Sequence, residues 1–320
     1  MRILYFFLLI LSGCGGGTVD TNVSSESSSG DSSNPQVPLM TYSTNNILCD
    51  LNESIFNNDE SINTNSSYAW TCNTQYRMLT GNGIPNHEVG TFPNINNPNV
   101  ISVQNINENF TNNPGILSEA GVAMGGPQVI AYALNSVKFD PGTAGTCSDA
   151  GLCSLGPPSL GPWNIEALGH DTFDFGDDMN HAHVQPNGAY HYHGMPELYL
   201  EKLGKGQAMT LIGWAADGFP VYARYGYADA NDLNSAIKII KPSWQLKETE
   251  DNNRPSTNLS AGNVIPMGAF TQDFEYIANS GDLDQCNGRF GVTPEFPEGI
   301  YHYMVTDDFP FFSRCLKGSL

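Results

Sequence analysis

Basic residues are scarce in this chain. Its 320 residues include 13 Lys and Arg against 33 Asp and Glu, a formal charge of −20. Nucleic acids and other polyanions are held by cationic side chains, so this balance argues against them and favours cations. A solvated acidic surface accounts for most of the charge. The sequence also lacks a Gly-x-Ser-x-Gly elbow, a Walker loop and a His-Glu-x-x-His motif, which removes support for common hydrolase, nucleotidase and metalloprotease classes. The paired cysteine spacing of zinc fingers is missing, so no thiolate is assigned to a metal. Past residue 11 no apolar run is long enough to span a bilayer.

What the N-terminus does contain is residues 3–11, ILYFFLLIL, after Arg2 and before small residues. This is a secretory signal, too short to be a transmembrane helix. Leu11-Ser12-Gly13-Cys14 resembles the bacterial lipobox. The resemblance implies that residues 1–13 are a signal peptide and that Cys14 carries lipid. Residues 14–41, rich in Ser, Gly and Asn, read as a flexible tether, since they cannot bury enough apolar surface to offset the cost of ordering. The expected location is the cell envelope, at the outer membrane or cell surface, with the lipid as the only membrane contact. Six cysteines remain, an even count that suits disulfides in an exported chain. Sequence-adjacent pairing is expected: Cys49 with Cys72, Cys147 with Cys153, Cys286 with Cys315.

Four of the seven histidines crowd into residues 180–194, NHAHVQPNGAYHYHG. Alternation on either side of Pro186-Asn187-Gly188 reads as a β-hairpin. A two-residue Asn187-Gly188 turn would scatter the histidines. A type I turn with Pro186 first and Gly188 in the left-handed region fits the residues better. It pairs His183 with His191 and His181 with His193, placing all four imidazoles on one face and Val184, Ala182, Tyr190 and Tyr192 on the other. Cross-strand Cβ atoms lie about 5 Å apart, so such imidazoles can converge on one zinc or copper ion. The alternative is a set of hydrogen-bonded structural histidines.

Elsewhere the chain reads as short strands and turns, with a helix over residues 195–204 and a polar insertion over 229–262. In the acidic run before the hairpin, Asp171 or Asp174 is expected to ligate the ion or orient an imidazole. His87, standing alone, reads as structural. One internal echo stands out: Pro186-Asn187-Gly188-Ala189-Tyr190-His191-Tyr192-His193 recurs as Pro297-Glu298-Gly299-Ile300-Tyr301-His302-Tyr303-Met304. Two similar hairpins facing each other would bring His302 to the cluster.

Tyr190-His191-Tyr192-His193-Gly194, with Asp217-Gly218-Phe219-Pro220 and with Cys286-Asn287-Gly288-Arg289 before Tyr301-His302-Tyr303, resembles the bacterial YHYH domain family. His87-Glu88-Val89-Gly90-Thr91-Phe92-Pro93-Asn94 is similar to a block of the same family, so the resemblance spans roughly residues 75–318. It implies a functional surface containing His191, His193 and Asp217, and it supplies no reaction.

The expected fold is mainly β: a single sandwich- or barrel-like domain of antiparallel hairpins with a few short helices, over residues 42–320. The expected site binds zinc or copper through His181, His183, His191 and His193. Three functions follow from it: a metal-binding surface protein, a metal-dependent enzyme with Asp217 or His302 as general base, or a metal-free module. In the last, Tyr190, Tyr192, Tyr301, Tyr303 and Trp214 would form a platform for sugar or a cell-surface partner.

Overall fold

The computed structural model describes residues 40–124 and 127–320. The expected signal peptide, Cys14 and nearly all of the expected tether lie outside these residues. Met40–Thr41, at the end of the expected tether, pairs with Gly115–Ile116.

The first part is an antiparallel four-stranded meander: β1 (Asn52–Asn57), β2 (Thr64–Cys72), β3 (Tyr76–Gly81) and β4 (Ile106–Thr111). In β2, Ser66, Tyr68 and Trp70 are buried while Asn65 and Thr71 stay exposed, the period of a half-buried strand. This sheet packs on the middle of a larger one. Trp70 Nε1 donates to the Leu134 carbonyl at 2.8 Å, Phe110 meets Tyr132 edge-on, and the Arg77 guanidinium lies 3.4 Å from the Trp214 ring.

The larger sheet has eight strands: β5 (Ala131–Ala133), β6 (Lys138–Phe139), β7 (Ala182–Val184), β8 (Tyr190–Tyr192), β9 (Leu211–Ala215), β10 (Pro220–Tyr222), β11 (Gly288–Gly291) and β12 (Ile300–Met304). Their spatial order is β7-β8-β6-β5-β9-β10-β12-β11. Five of the seven pairings are antiparallel hairpin or neighbour contacts. The other two, β8 with β6 and β10 with β12, are parallel. The architecture is thus mainly β and sandwich-like, with mixed rather than purely antiparallel sheets, and neither sheet closes into a barrel. Among the described residues the helices are one α-helix, α1 (Glu197–Leu203), and a single 3-10 turn, Thr271–Asp273. Helix α1 begins after Pro196 and ends at Gly204, whose φ of 63° gives the left-handed cap.

Among the described residues three disulfides join Cys49 to Cys72, Cys147 to Cys153 and Cys286 to Cys315. The polar 229–262 segment is less loop-like than its composition implies. Ile237–Ile239 pairs with Tyr225–Tyr227, Trp244–Leu246 pairs with Phe274–Tyr276, and Arg254 is buried against Asp273 at 2.5 Å. The hydrophobic centre of the molecule includes Tyr190, Tyr192, Tyr301, Tyr303 and Trp214, all buried. That corrects the idea of an aromatic platform: rings sunk in a core offer no face to a sugar.

Candidate metal centre

The histidine hairpin forms in the expected register, Ala182 with Tyr192, His183 with His191 and Val184 with Tyr190. Its turn depends on Gly188, at φ 84°, where an added Cβ would meet Ser102 Oγ at 1.8 Å. Because alternate residues share a face, the tyrosines enter the core. Tyr190 donates to Asp178 Oδ2 at 2.7 Å, and Tyr192 is held by His87 Nε2 at 2.6 Å and Asn135 Nδ2 at 3.0 Å. His87 is therefore a core histidine that clamps the back of the hairpin. Burial pushes its pKa down to about 4.

On the other face His183, His191 and His193 bring one ring nitrogen each within 4.8 Å of the others, and all three are buried. Their ring centroids are 4.6 to 4.7 Å apart. Nε2 of His183 and Nε2 of His193 are separated by 3.3 Å. A tetrahedral ion with M–N near 2.0–2.1 Å requires N···N of about 3.3–3.4 Å, so this edge already has the right length.

The second nitrogen of two of the rings is hydrogen-bonded, and that of His183 lies against a carboxylate without hydrogen-bond alignment. Nδ1 of His193 donates to the Pro141 carbonyl and Nδ1 of His191 to the Ala189 carbonyl, both at 3.3 Å. Nδ1 of His183 stands 2.6 Å from Asp177 Oδ1. Carbonyls only accept, so they hold the proton on Nδ1 and leave the Nε2 lone pair free, which is the arrangement found behind metal-ligating histidines. Burial is the largest influence on His191 and His193, and neighbouring imidazoles add to it: His191 is pushed well below the usual range and His193 down to about 3. Both are neutral at pH 7, as ligation requires.

A cavity of about 480 Å³ opens over the imidazoles. Its walls are residues 96–99, 142–144, 155–157 and 184–187, with Phe175 lying parallel to the His183 ring. Among the described residues no Asp, Glu, Lys or Arg lines it. The stapled Cys147–Cys153 loop thus has a place in the site: the segment just beyond it forms a wall.

Several expected residues stand elsewhere. His181 is at φ 52°, which breaks the strand alternation, and its Nδ1 binds the Met195 carbonyl at 2.8 Å. It lies outside the group of three. Asp171 and Asp174 are exposed. Asp174 caps Gly176 and accepts from Asn96 rather than from an imidazole. The carboxylate that does reach a histidine is Asp177, in the same acidic run, and nothing in its spacing singles it out from its neighbours. His302 lies on β12, five strands from β8, roughly 24 Å along the sheet. The two similar hairpins sit near opposite edges of one sheet instead of facing each other. Asp217 is in the same distant half, buried, accepting from Tyr303 at 2.6 Å and from Gly318 N at 3.0 Å. Neither serves as a base at the cluster.

No curated protein and no solved structure matches the chain. The family described as YHYH protein matches residues 108–318, from the last strand of the meander through both histidine-bearing hairpins. The His87–Asn94 block precedes that range, although His87 touches the hairpin within it. With about two thirds of its length matched, including the Tyr190-His191-Tyr192-His193 motif at the metal-competent cluster, the chain belongs to the YHYH family.

Proposed function

We propose that this protein binds one Zn²⁺ or Cu²⁺ ion through Nε2 of His183, His191 and His193. One observation carries the reading: ring nitrogens of three buried histidines converge within 4.8 Å while their partner nitrogens face two carbonyls and a carboxylate. A purely hydrogen-bonded cluster accounts for the 3.3 Å contact between His183 and His193, but gives Nε2 of His191 no partner among the described residues. A single ion serves all three. Imidazole suits both zinc and copper, and the overall acidity of the chain favours cations. Residues 3–14 support export and lipid attachment at Cys14, which would put the site in the cell envelope.

A second reading, a metal-dependent enzyme, is favoured by the cavity above the three ligands. A closed four-ligand site would be structural, whereas three ligands and open space admit a substrate. When bound, the ion would supply Lewis acidity or an acidified water. The chain's own contribution is to shape an uncharged cavity, with Asn96, Asn97, Asn99, Gln185 and Asn187 in its walls.

The test is elemental analysis of the purified full chain beside His191→Ala and His193→Ala. About one equivalent of zinc or copper in the wild type, dropping in both variants, is the expected result. A wild type without metal after supplementation near pH 8 would sink the reading. Membrane fractionation of Cys14→Ala tests the anchor, since this variant should move to the soluble fraction.

A further inference from the structure

The pairing registers of the large sheet are related by a twofold between β5 and β9. Tyr132 pairs with Trp214 at the centre, flanked symmetrically by Ala133 with Gly213 and Ala131 with Ala215. Moving outward, each half meets a hairpin, then a strand added in parallel, then that strand's own hairpin partner. Phe139 beside Tyr192 in one half corresponds to Val221 beside Tyr303 in the other. His183 opposite His191 corresponds to Arg289 opposite His302.

Side-chain bonds repeat with the registers. Asn135 Oδ1 accepts from Val137 N, and Asp217 Oδ1 accepts from Phe219 N. Ser136 and Gly218, next in each turn, both have positive φ. Asn135 holds the Tyr192 hydroxyl, and Asp217 holds that of Tyr303. Asp178 accepts from Tyr190, and Asp284 accepts from Tyr301. The carbonyls of those aspartates accept from His181 N and Asn287 N, two left-handed residues at φ 52° and 54°. The carbonyls of His181 and Asn287 in turn accept from His193 N and Met304 N. Hairpins in general share turns; they do not share this whole set at matching registers.

We infer that the sheet is an internal duplication, and that its second half keeps a silenced copy of the metal site, centred on His302 and suited to the same divalent transition metals. The inference rests on reading His183, His191 and His193 as ligands. His302 stands at the position of His191. Its Nδ1 meets the Ile300 carbonyl at 3.0 Å, as that of His191 meets Ala189, while its Nε2 is buried without a partner among the described residues. A ligand nitrogen that has lost its ion would be left in this way. Arg289 replaces His183, Met304 replaces His193 and Leu283 replaces Asp177. One ligand became a fixed cation, another a thioether, and the supporting carboxylate an alkyl group.

The experiment restores what was lost. Full-length Arg289→His/Met304→His, with or without Leu283→Asp, should bind two equivalents of zinc or cobalt against one for the wild type. The visible absorbance of the cobalt form should roughly double. In a His183→Ala/His191→Ala background the same pair should recover one equivalent. A folded double variant that still binds one equivalent overturns the inference and leaves the first site standing. A wild type that binds none removes both. Should the restored variant fail to fold, the reciprocal exchange His183→Arg/His193→Met decides: a common scaffold requires it to fold with all three disulfides and lose its metal, and misfolding counts against duplication.

Discussion

Nε2 of His183 and Nε2 of His193 stand 3.3 Å apart at the foot of an uncharged cavity, while Nδ1 of His183 faces Asp177 at 2.6 Å. This places Asp177 at the ring nitrogen of His183 that points away from the proposed metal position. Such a carboxylate fixes the tautomer and raises ligand basicity. Asp177→Asn should therefore weaken metal binding about 10- to 100-fold while leaving the stoichiometry at one. A competition titration against a chelator measures it; an unchanged affinity would mean that Asp177 contributes nothing to ligation.

Buried histidines make the stability of the metal-free protein depend on pH, His87 and His302 outside the cluster as well as His191 and His193 within it. His87 and His302 have pKa values lowered to about 4 and about 3, in both cases chiefly by burial. The unfolded chain takes up a proton on each near pH 6.5, and the folded chain does not until much lower. Their contribution is complete above pH 6.5 and declines as pH falls from 6.5 toward 4, by on the order of 3 kcal/mol per imidazole. Urea midpoints of the metal-free protein should fall across this window, and His302→Leu should flatten the decline. A pH-independent midpoint between 7 and 4 would contradict the assignment.

Gly188→Ala tests the turn that sets the register. The new methyl would stand 1.8 Å from Ser102 Oγ at a backbone φ of 84°, so a loss of about 1–3 kcal/mol is expected. Metal content should fall with it, because a one-residue slip turns the imidazoles to the other face. Chemical denaturation and elemental analysis on the same sample separate the two effects.

Cys286 and Cys315 close a loop with a sequence separation of 29. Replacing both by Ser should cost about 3–4 kcal/mol through the freed unfolded chain. The bond is near the second hairpin and away from the histidine cluster, so metal stoichiometry should remain one. Comparing denaturation midpoints and metal content of Cys286→Ser/Cys315→Ser with wild type checks both.

Much of the site was legible because a short hairpin is a local structure. Pro186, Asn187 and Gly188 restrict the turn, the turn sets the register, and the register puts His183 across from His191. The cysteine pairing followed from proximity in sequence. The place of His181 was not legible, since alternation alone cannot reveal a left-handed residue at the strand's start. Asp177 could not be told from Asp171 or Asp174, because loop carboxylates differ only in where the backbone turns them.

The sequence by itself determined the β class, the histidine hairpin with its register, and the repetition of its Tyr-His-Tyr strand. It did so through two local rules, the period of two along a strand and the φ preferences of proline and glycine. Only the tertiary structure decided that the repeated strands lie near opposite edges of one sheet. It alone shows that Asp177 backs the cluster while Asp217 and His302 belong to the other half, and that a cavity opens over three imidazoles rather than four. Those outcomes depend on strand order and loop path, which long-range packing fixes and which no spacing between neighbouring residues encodes.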